Sequence, residues 1–364
     1  MSKKLKIKLT IPGFGKNSSI SQFIGLERLD EAGIEFIINT ENNLEVDFWF
    51  VVEDLVLDEE SANVPDSNVI FLSAEVAHNF LYFDSEVMRK FINQFSYIYT
   101  CFPIYSSNSK IELPFLPWMI NANHGESIFQ ECTRSKEWFE NKNINIQKHD
   151  KISVFCSSQI STEDHRLRFK FVSEVQKYFG ESIVWFGNGV NKVDQKWDGI
   201  APFKYHLVIE NQRRNNVITE KLYDSYLGQS YPIYYGAPNV SDFFDERTFA
   251  TIDIVDIEAS KKTIKQILES DLYGQNKNLL IAERSKVLNE YNVFERIVQL
   301  ALNNSAELSD AKRSNVTLHS SRFIKNKSYA FGGRALLYYS ERGLNRIANA
   351  IRKMEFRRLY GIKA

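Results

Sequence analysis

Residues 203–240, FKYHLVIENQRRNNVITEKLYDSYLGQSYPIYYGAPNV, constrain the fold more than any other stretch. Tyr205 to Ile209 is a short apolar run of strand type, ending in the polar pair Glu210-Asn211. A basic, amide-rich loop runs from Gln212 to Asn216. Thr219 is placed to cap a helix that opens with Glu220 and Lys221 and runs to about Gly228. Tyr231 to Tyr235 reads as the next strand, and Gly236-Ala237-Pro238 as its closing turn. Strand, polar loop, helix and strand form a right-handed βαβ unit of a parallel sheet. Its polar residues gather at the strand's carboxyl end and the helix's amino end. Open α/β sheets bind ligands there, and the helix dipole with its free N–H groups favours phosphate.

These residue types suit a nucleotide-sugar. A carboxylate such as Glu220 accepts hydrogen bonds from both hydroxyls of a ribose, and a lysine beside it neutralises a diphosphate as a point charge. On pattern alone, a charged and solvated first turn accounts for Glu220-Lys221 equally well. The whole stretch, however, resembles the donor-binding motif of the family 10 glycosyltransferases, the α-1,3/4-fucosyltransferases. That family has a strand ending F-E-N, a loop, V-T-E-K on a helix, and a P-I/V-x-x-G strand. Here these are Ile209-Glu210-Asn211, Ile218-Thr219-Glu220-Lys221 and Pro232-Ile233-Tyr234-Tyr235-Gly236. Asn216-Val217 departs from the pattern, standing where the family often has Asp-Tyr or a similar pair.

Hydrophobic residues at 43% and charged residues at 25% are those of a globular protein, and 364 residues suffice for two domains. The net charge of −1 gives no electrostatic footprint for a nucleic-acid partner. Cys101, Cys132 and Cys156 are odd in number and widely spaced, which fits a reducing compartment better than a disulfide framework. Six histidines show no paired-ligand spacing and no DxD stands out, so neither a metal nor another cofactor is expected. No run approaches the ~18 apolar residues of a membrane span. Leu5 to Ile11 alternates with lysine and reads as a first strand, not as a signal-peptide core. Since the animal members of the family this chain resembles carry an N-terminal membrane anchor, the resemblance implies a bacterial cytoplasmic enzyme.

Strands alternate with helical patterns over the first part of the chain, including the apolar runs Val46 to Val52, Val69 to Leu72 and Phe95 to Cys101. The boundaries read from the sequence are an acceptor-binding Rossmann-like domain over 1–148, a donor-nucleotide-binding Rossmann-like domain over 149–304, and a polar linker with a basic tail over 305–364. Ser305 to Ser328 is polar and expected to be poorly ordered. From Arg334 onward, Leu344, Ile347, Ala348, Ile351 and Met354 form a helical stripe flanked by arginines. Such a helix suits peripheral contact with a membrane surface, and equally docking on the protein body or a partner.

The resemblance implies an α/β fold of two Rossmann-like domains facing a cleft, the GT-B type. It implies transfer of L-fucose with inversion from GDP-β-L-fucose to a hydroxyl of an oligosaccharide or glycolipid acceptor. Bacterial surface polysaccharide or lipopolysaccharide would be the setting. Glu75 follows a buried strand, where the family places its general base. Arg166 lies early in a helix, where the family has a phosphate-binding arginine, and Arg168 is read as solvent-facing. Asn211, Glu210, Thr219, Glu220 and Lys221 would make the donor pocket. Trp118 is either a sugar-stacking platform or hinge packing. The alternatives are a same-fold transferase for another GDP-sugar, or a non-catalytic glycan-binding protein.

Overall fold

The computed structural model describes residues 4–39, 42–74, 86–104, 106–122, 127–130, 132, 134–141, 146–158, 160, 162–305, 312–329, 350 and 354. The basic tail and Glu75 therefore lie outside the described residues, the tail apart from Ala350 and Met354.

The chain folds as two Rossmann-like α/β domains. The first contains β1 (Leu5–Thr10), α1 (Leu26–Ala32), β2 (Ile34–Ile38), β3 (Leu44–Glu45), β4 (Phe48–Val52), β5 (Glu59–Pro65), β6 (Val69–Leu72), α2 (Glu86–Ile92), β7 (Tyr97–Thr100), β8 (Ser109–Ile111) and α3 (Lys136–Glu140). Its parallel sheet has the order β2-β1-β4-β6-β7-β8. All five residues of β4 are buried, as a central parallel strand with both faces covered requires.

The second domain begins with β9 (His149–Phe155) and continues through α4 (Glu163–Phe179), β10 (Ile183–Phe186), α5 (Lys196–Ile200), β11 (Phe203–Ile209), α6 (Glu220–Leu227), β12 (Tyr231–Tyr235), β13 (Ala250–Thr251), α7 (Ile257–Glu269) and α8 (Leu272–Asn289). Its sheet, β10-β9-β11-β12-β13, is also parallel, so β11-α6-β12 is the expected βαβ unit. The Thr219 side chain caps α6 by accepting from Lys221 N.

The chain then departs from the division expected of it. Helix α9 (Val293–Asn303) packs on the first domain: Phe294 stacks on Phe23 with ring centroids 5.3 Å apart, and Glu295 pairs with Arg28 at 3.2 Å and Lys136 at 3.1 Å. An amphipathic pattern shows that a helix has a buried face, not which domain buries it. Beyond it, 312–329 is ordered structure and not a linker. Strand β14 (Arg313–His319) pairs antiparallel with β5, and α10 (Ser321–Tyr329) lies against α2. Val316 and Leu318 alternate with polar residues, and Leu318 is buried in the first domain's cluster with Trp49, Met88 and Phe91. His319 N donates to Gln94 Oε1 at 2.8 Å, and Gln94 Nε2 returns a bond to the His319 carbonyl at 2.9 Å. The polar composition concealed a strand because its partner edge, β5, is some 250 residues earlier, where |i−j| for Arg313↔Pro65 is 248 and for His319↔Glu59 is 260.

Trp118 is a packing residue, 3% exposed, with its ring 4.9 Å from Phe23 and 6.5 Å from Phe139. It is not a sugar platform.

If β14 completes the first domain, Leu318→Ala should destabilise the protein by about 2–4 kcal/mol, as buried leucine truncations do. Urea unfolding measures this. A linker position would shift stability by less than ~0.5 kcal/mol.

Candidate donor site

Strand β11 runs apolar into the sheet and delivers Glu210 to its carboxyl end with no exposed surface. A carboxylate there needs partners, and the start of α6 supplies them. Thr219 N donates to Glu210 Oε1 at 2.8 Å, and Thr219 Oγ1 lies 2.9 and 2.7 Å from the two carboxylate oxygens. Lys221 Nζ sits 3.5 Å from Glu210 Oε2, 3.2 Å from Glu220 Oε1 and 3.1 Å from Thr219 Oγ1. The strand's polar end and the helix's first turn are therefore one network. Gly236 lets β12's exit pass close by, since a Cβ there would fall 2.6 Å from Glu210 Cγ and 2.2 Å from the Tyr234 hydroxyl.

A second lysine extends the network. Lys196, which opens α5, places Nζ 3.0 Å from Asp224 Oδ2 and 4.0 Å from Glu220 Oε1. Asp224 is buried, and its other oxygen accepts from Met119 N at 2.8 Å, tying the segment between the domains to the site. Burial pushes the carboxyls of Glu210 and Asp224 up. Burial also acts to raise Glu220, but Lys221 and Lys196 together outweigh it and hold its pKa at about 2. Burial works against the charge on Lys221, yet Glu220 and Glu210 overcome it and raise the ammonium. Glu220 and Lys221 are thus both ionised at neutral pH.

Beside this network opens a cavity of about 340 Å³ at the carboxyl ends of β9 and β10 and the start of α6. Among the described residues, Arg168, Lys192, Lys196 and Lys221 line it, with the carboxylate of Asp194 and the apolar wall of Phe155. Four cations around one hollow suit an anionic ligand. In the loop between β11 and α6, Asn211 Oδ1 and Gln212 Oε1 are buried without a hydrogen-bond partner among the described residues.

Of the two arginines of α4, Arg168, expected to face solvent, lies at the cavity, and Arg166 does not line it. Arg168 lines the cavity, and its Nε is buried with no partner among the described residues. Arg166 is not a lining residue and donates Nη1 to the Ile160 carbonyl at 3.1 Å. Two residues apart on a helix is about 200° of rotation, so only one of the pair can face the sheet ends. Sequence reading also missed Lys196 and Asp224. Asp224 was legible, being four residues after Glu220 on the same helix face. Lys196 reaches the site only through the fold. Val217, where the family often has an aromatic, is buried in the first domain's apolar cluster and carries the donor-domain loop into it.

Glu75 lies outside the described residues and directly follows Ala74. Ala74 N and Ser73 Oγ both donate to Glu53 Oε1, the latter at 3.1 Å. Among the described residues no cluster of His, Cys, Asp and Glu could hold a metal ion, and no helix is long and apolar enough to cross a membrane.

Residues 146–294 match the model of the glycosyltransferase family 10 (fucosyltransferase) C-terminal domain. The chain is similar to the alpha-(1,3)-fucosyltransferase FucT of Helicobacter pylori, 32% identical over 60 residues, which are 16% of this chain and 13% of that protein. The chain therefore spans well under two thirds of that relative. A crystal structure of an alpha1,3-fucosyltransferase aligns with 85% of this chain and 91% of its own at 17% identity and a TM-score of 0.49. One of an alpha1,3-fucosyltransferase with GDP aligns with 81% and 93% at 18% identity and a TM-score of 0.45.

The floor of the site carries a pH prediction. His206 on β11 is buried, 2.8 Å through Nδ1 from Ser153 Oγ, and burial lowers its pKa from 6.5 to about 3. Between those values the unfolded chain binds a proton that the folded state refuses, so stability falls as pH drops below 6.5, by up to about 1.4 kcal/mol per pH unit. In urea unfolding series from pH about 7 to about 5, His206→Asn should flatten this slope by close to one proton.

Proposed function

We propose that this chain, whose residues 146–294 match the model of the glycosyltransferase family 10 (fucosyltransferase) C-terminal domain, is an inverting fucosyltransferase that moves L-fucose from GDP-β-L-fucose to a glycan hydroxyl, forming an α-1,3-type linkage. The observation that carries this reading is the pair of ionised groups Glu220 and Lys221, seated on buried Glu210 at the edge of a cation-lined cavity.

Each group has a role its chemistry supports. Glu220, acceptor-only when ionised, takes the two ribose hydroxyls. Lys221 and Arg168 neutralise the diphosphate, and the charge that grows on it as the glycosidic bond breaks is met by groups already in place. Asn211 offers its unpartnered oxygen to a donor group of the nucleotide-sugar. Glu75 takes the proton of the acceptor hydroxyl as its oxygen attacks the anomeric carbon from the face opposite the diphosphate. The transition state has oxocarbenium character, as in glycoside hydrolysis. Leaving-group stabilisation rests on Arg168 and Lys221, so turnover is expected without added divalent metal. The acceptor belongs to surface polysaccharide or lipopolysaccharide made at the inner face of the cytoplasmic membrane, with residues 334–364 resting on that surface.

The test is a donor panel of GDP-fucose, GDP-mannose and UDP-galactose, with product analysis and calorimetry. GDP-fucose should be preferred. Lys221→Ala and Arg168→Ala should each lower turnover by about 10²–10³, in line with loss of one charge-stabilising donor, while Arg166→Ala stays within a few-fold. Glu75→Gln should lose turnover and keep GDP binding. Preference for GDP-mannose would retain the fold and change the sugar. Failure to bind any GDP-sugar would overturn the reading.

A further inference from the structure

Among the described residues, two lysines stand at one oxygen of Glu220. Lys221 Nζ is 3.2 Å from Glu220 Oε1, and Lys196 Nζ is 4.0 Å from the same atom. An ammonium at hydrogen-bond distance takes up a carboxylate lone pair that a ligand hydroxyl would otherwise use. Lys196 stops short of that distance, and Asp224 Oδ2 holds it at 3.0 Å. Among the described residues, Asp224 and Glu220 are the carboxylates within 4.0 Å of Lys196 Nζ, so the ammonium rests with whichever attracts it more.

Packing does not fix that choice. The Lys196 side chain is 27% exposed and borders both the large cavity and a hollow of about 20 Å³ that it shares with Lys221 and Asp224. Asp224 is held more firmly. It lies on α6 one turn after Glu220, its side chain is 1% exposed, and Oδ1 accepts from Met119 N at 2.8 Å, which leaves Oδ2 for Lys196. Both oxygens are thus engaged within the protein, and Asp224 does not line the large cavity.

We propose that Asp224 is a positioning residue that holds Lys196 off Glu220, so that the Glu220 carboxylate stays open to the two ribose hydroxyls of the donor. The inference rests on the donor-site reading above and adds the group that keeps Glu220 available. A neutral amide at position 224 would keep an acceptor for Met119 N and turn its N–H donors toward Lys196. Two donors repel, and the ammonium closes on Glu220. The site gains positive charge in the same change, so recognition of phosphate holds while recognition of ribose is lost.

Calorimetry of the full chain with GDP, 2′,3′-dideoxy-GDP and pyrophosphate separates ribose from phosphate recognition. The wild type should prefer GDP to its dideoxy analogue by about tenfold or more, the loss expected for hydrogen bonds to a charged acceptor. Asp224→Asn should weaken GDP by about tenfold, bring the two nucleotides to near equality, and bind pyrophosphate at least as tightly as the wild type. Asp224→Ser, also neutral and with an oxygen for Met119 N, should do the same, which guards against a folding defect peculiar to the amide. When Asp224→Asn is combined with Lys196→Gln, no ammonium from position 196 can close on Glu220, and the preference for GDP should return. A ribose preference kept in the Asp224 variants, or not restored in the double variant, overturns the role of Asp224. Equal loss of GDP and pyrophosphate overturns it too, since a purely structural residue would weaken both. A wild type that does not distinguish GDP from its dideoxy analogue, or binds neither, removes the reading of Glu220 itself and this inference with it.

Discussion

A carboxylate with no exposed surface, Glu210, sets the terms for everything around it. An ionised group in that position is tolerated only where hydrogen bonds and an opposite charge replace its water. Thr219 supplies a backbone N–H and a hydroxyl, and Lys221 supplies the charge. The nine-residue interval from Glu210 to Thr219 is therefore a structural requirement as well as a motif spacing, because the loop must return the helix start to the strand end. Once that junction closes, Thr219 is fixed as the cap of α6 and Lys221 is held at the cavity rim. The lysine both pairs with buried Glu210 and lines the cavity, so the candidate site is inseparable from the integrity of β11 and α6.

The two domains are bound together by exchange of elements. Helix α9 follows the second domain in sequence and packs on the first, with Asn292 donating to the Phe23 carbonyl at 2.5 Å just ahead of it. Arg296 on the same helix donates to the carbonyls of Pro114 and Leu113 and lies 3.6 Å over the Phe115 ring. In the other direction, Val217 of the donor loop is buried among first-domain side chains, and Asp224 holds the Met119 amide. These contacts leave from the same loop and helix that carry Glu220 and Lys221. The placement of Glu220 and Lys221 is thus referred to the first domain through a few short contacts.

How much of this was legible depends on the range of the interaction involved. The β11-α6-β12 unit, its cap and its carboxylate-lysine pair stand within forty residues, so their spacing records their geometry. Arg166 and Arg168 show the limit of such reading. Both sit early in α4, and a motif aligned from a distance cannot resolve a rotation of about 200°. The strand at 313–319 shows another limit. Its sequence is polar and offers one buried face only when β5 is alongside.

By itself the sequence determined the α/β class, the parallel βαβ core of the second domain and the chemistry at the end of β11, because periodicity and capping are local properties of the chain. Tertiary structure decided which arginine meets the cavity, that Lys196 and Asp224 join the network, and that residues 293–303 and 313–329 return to complete the first domain. Each of those outcomes depends on surfaces brought together from distant parts of the chain. Local pattern shows that a face will be buried, and only the fold selects what buries it.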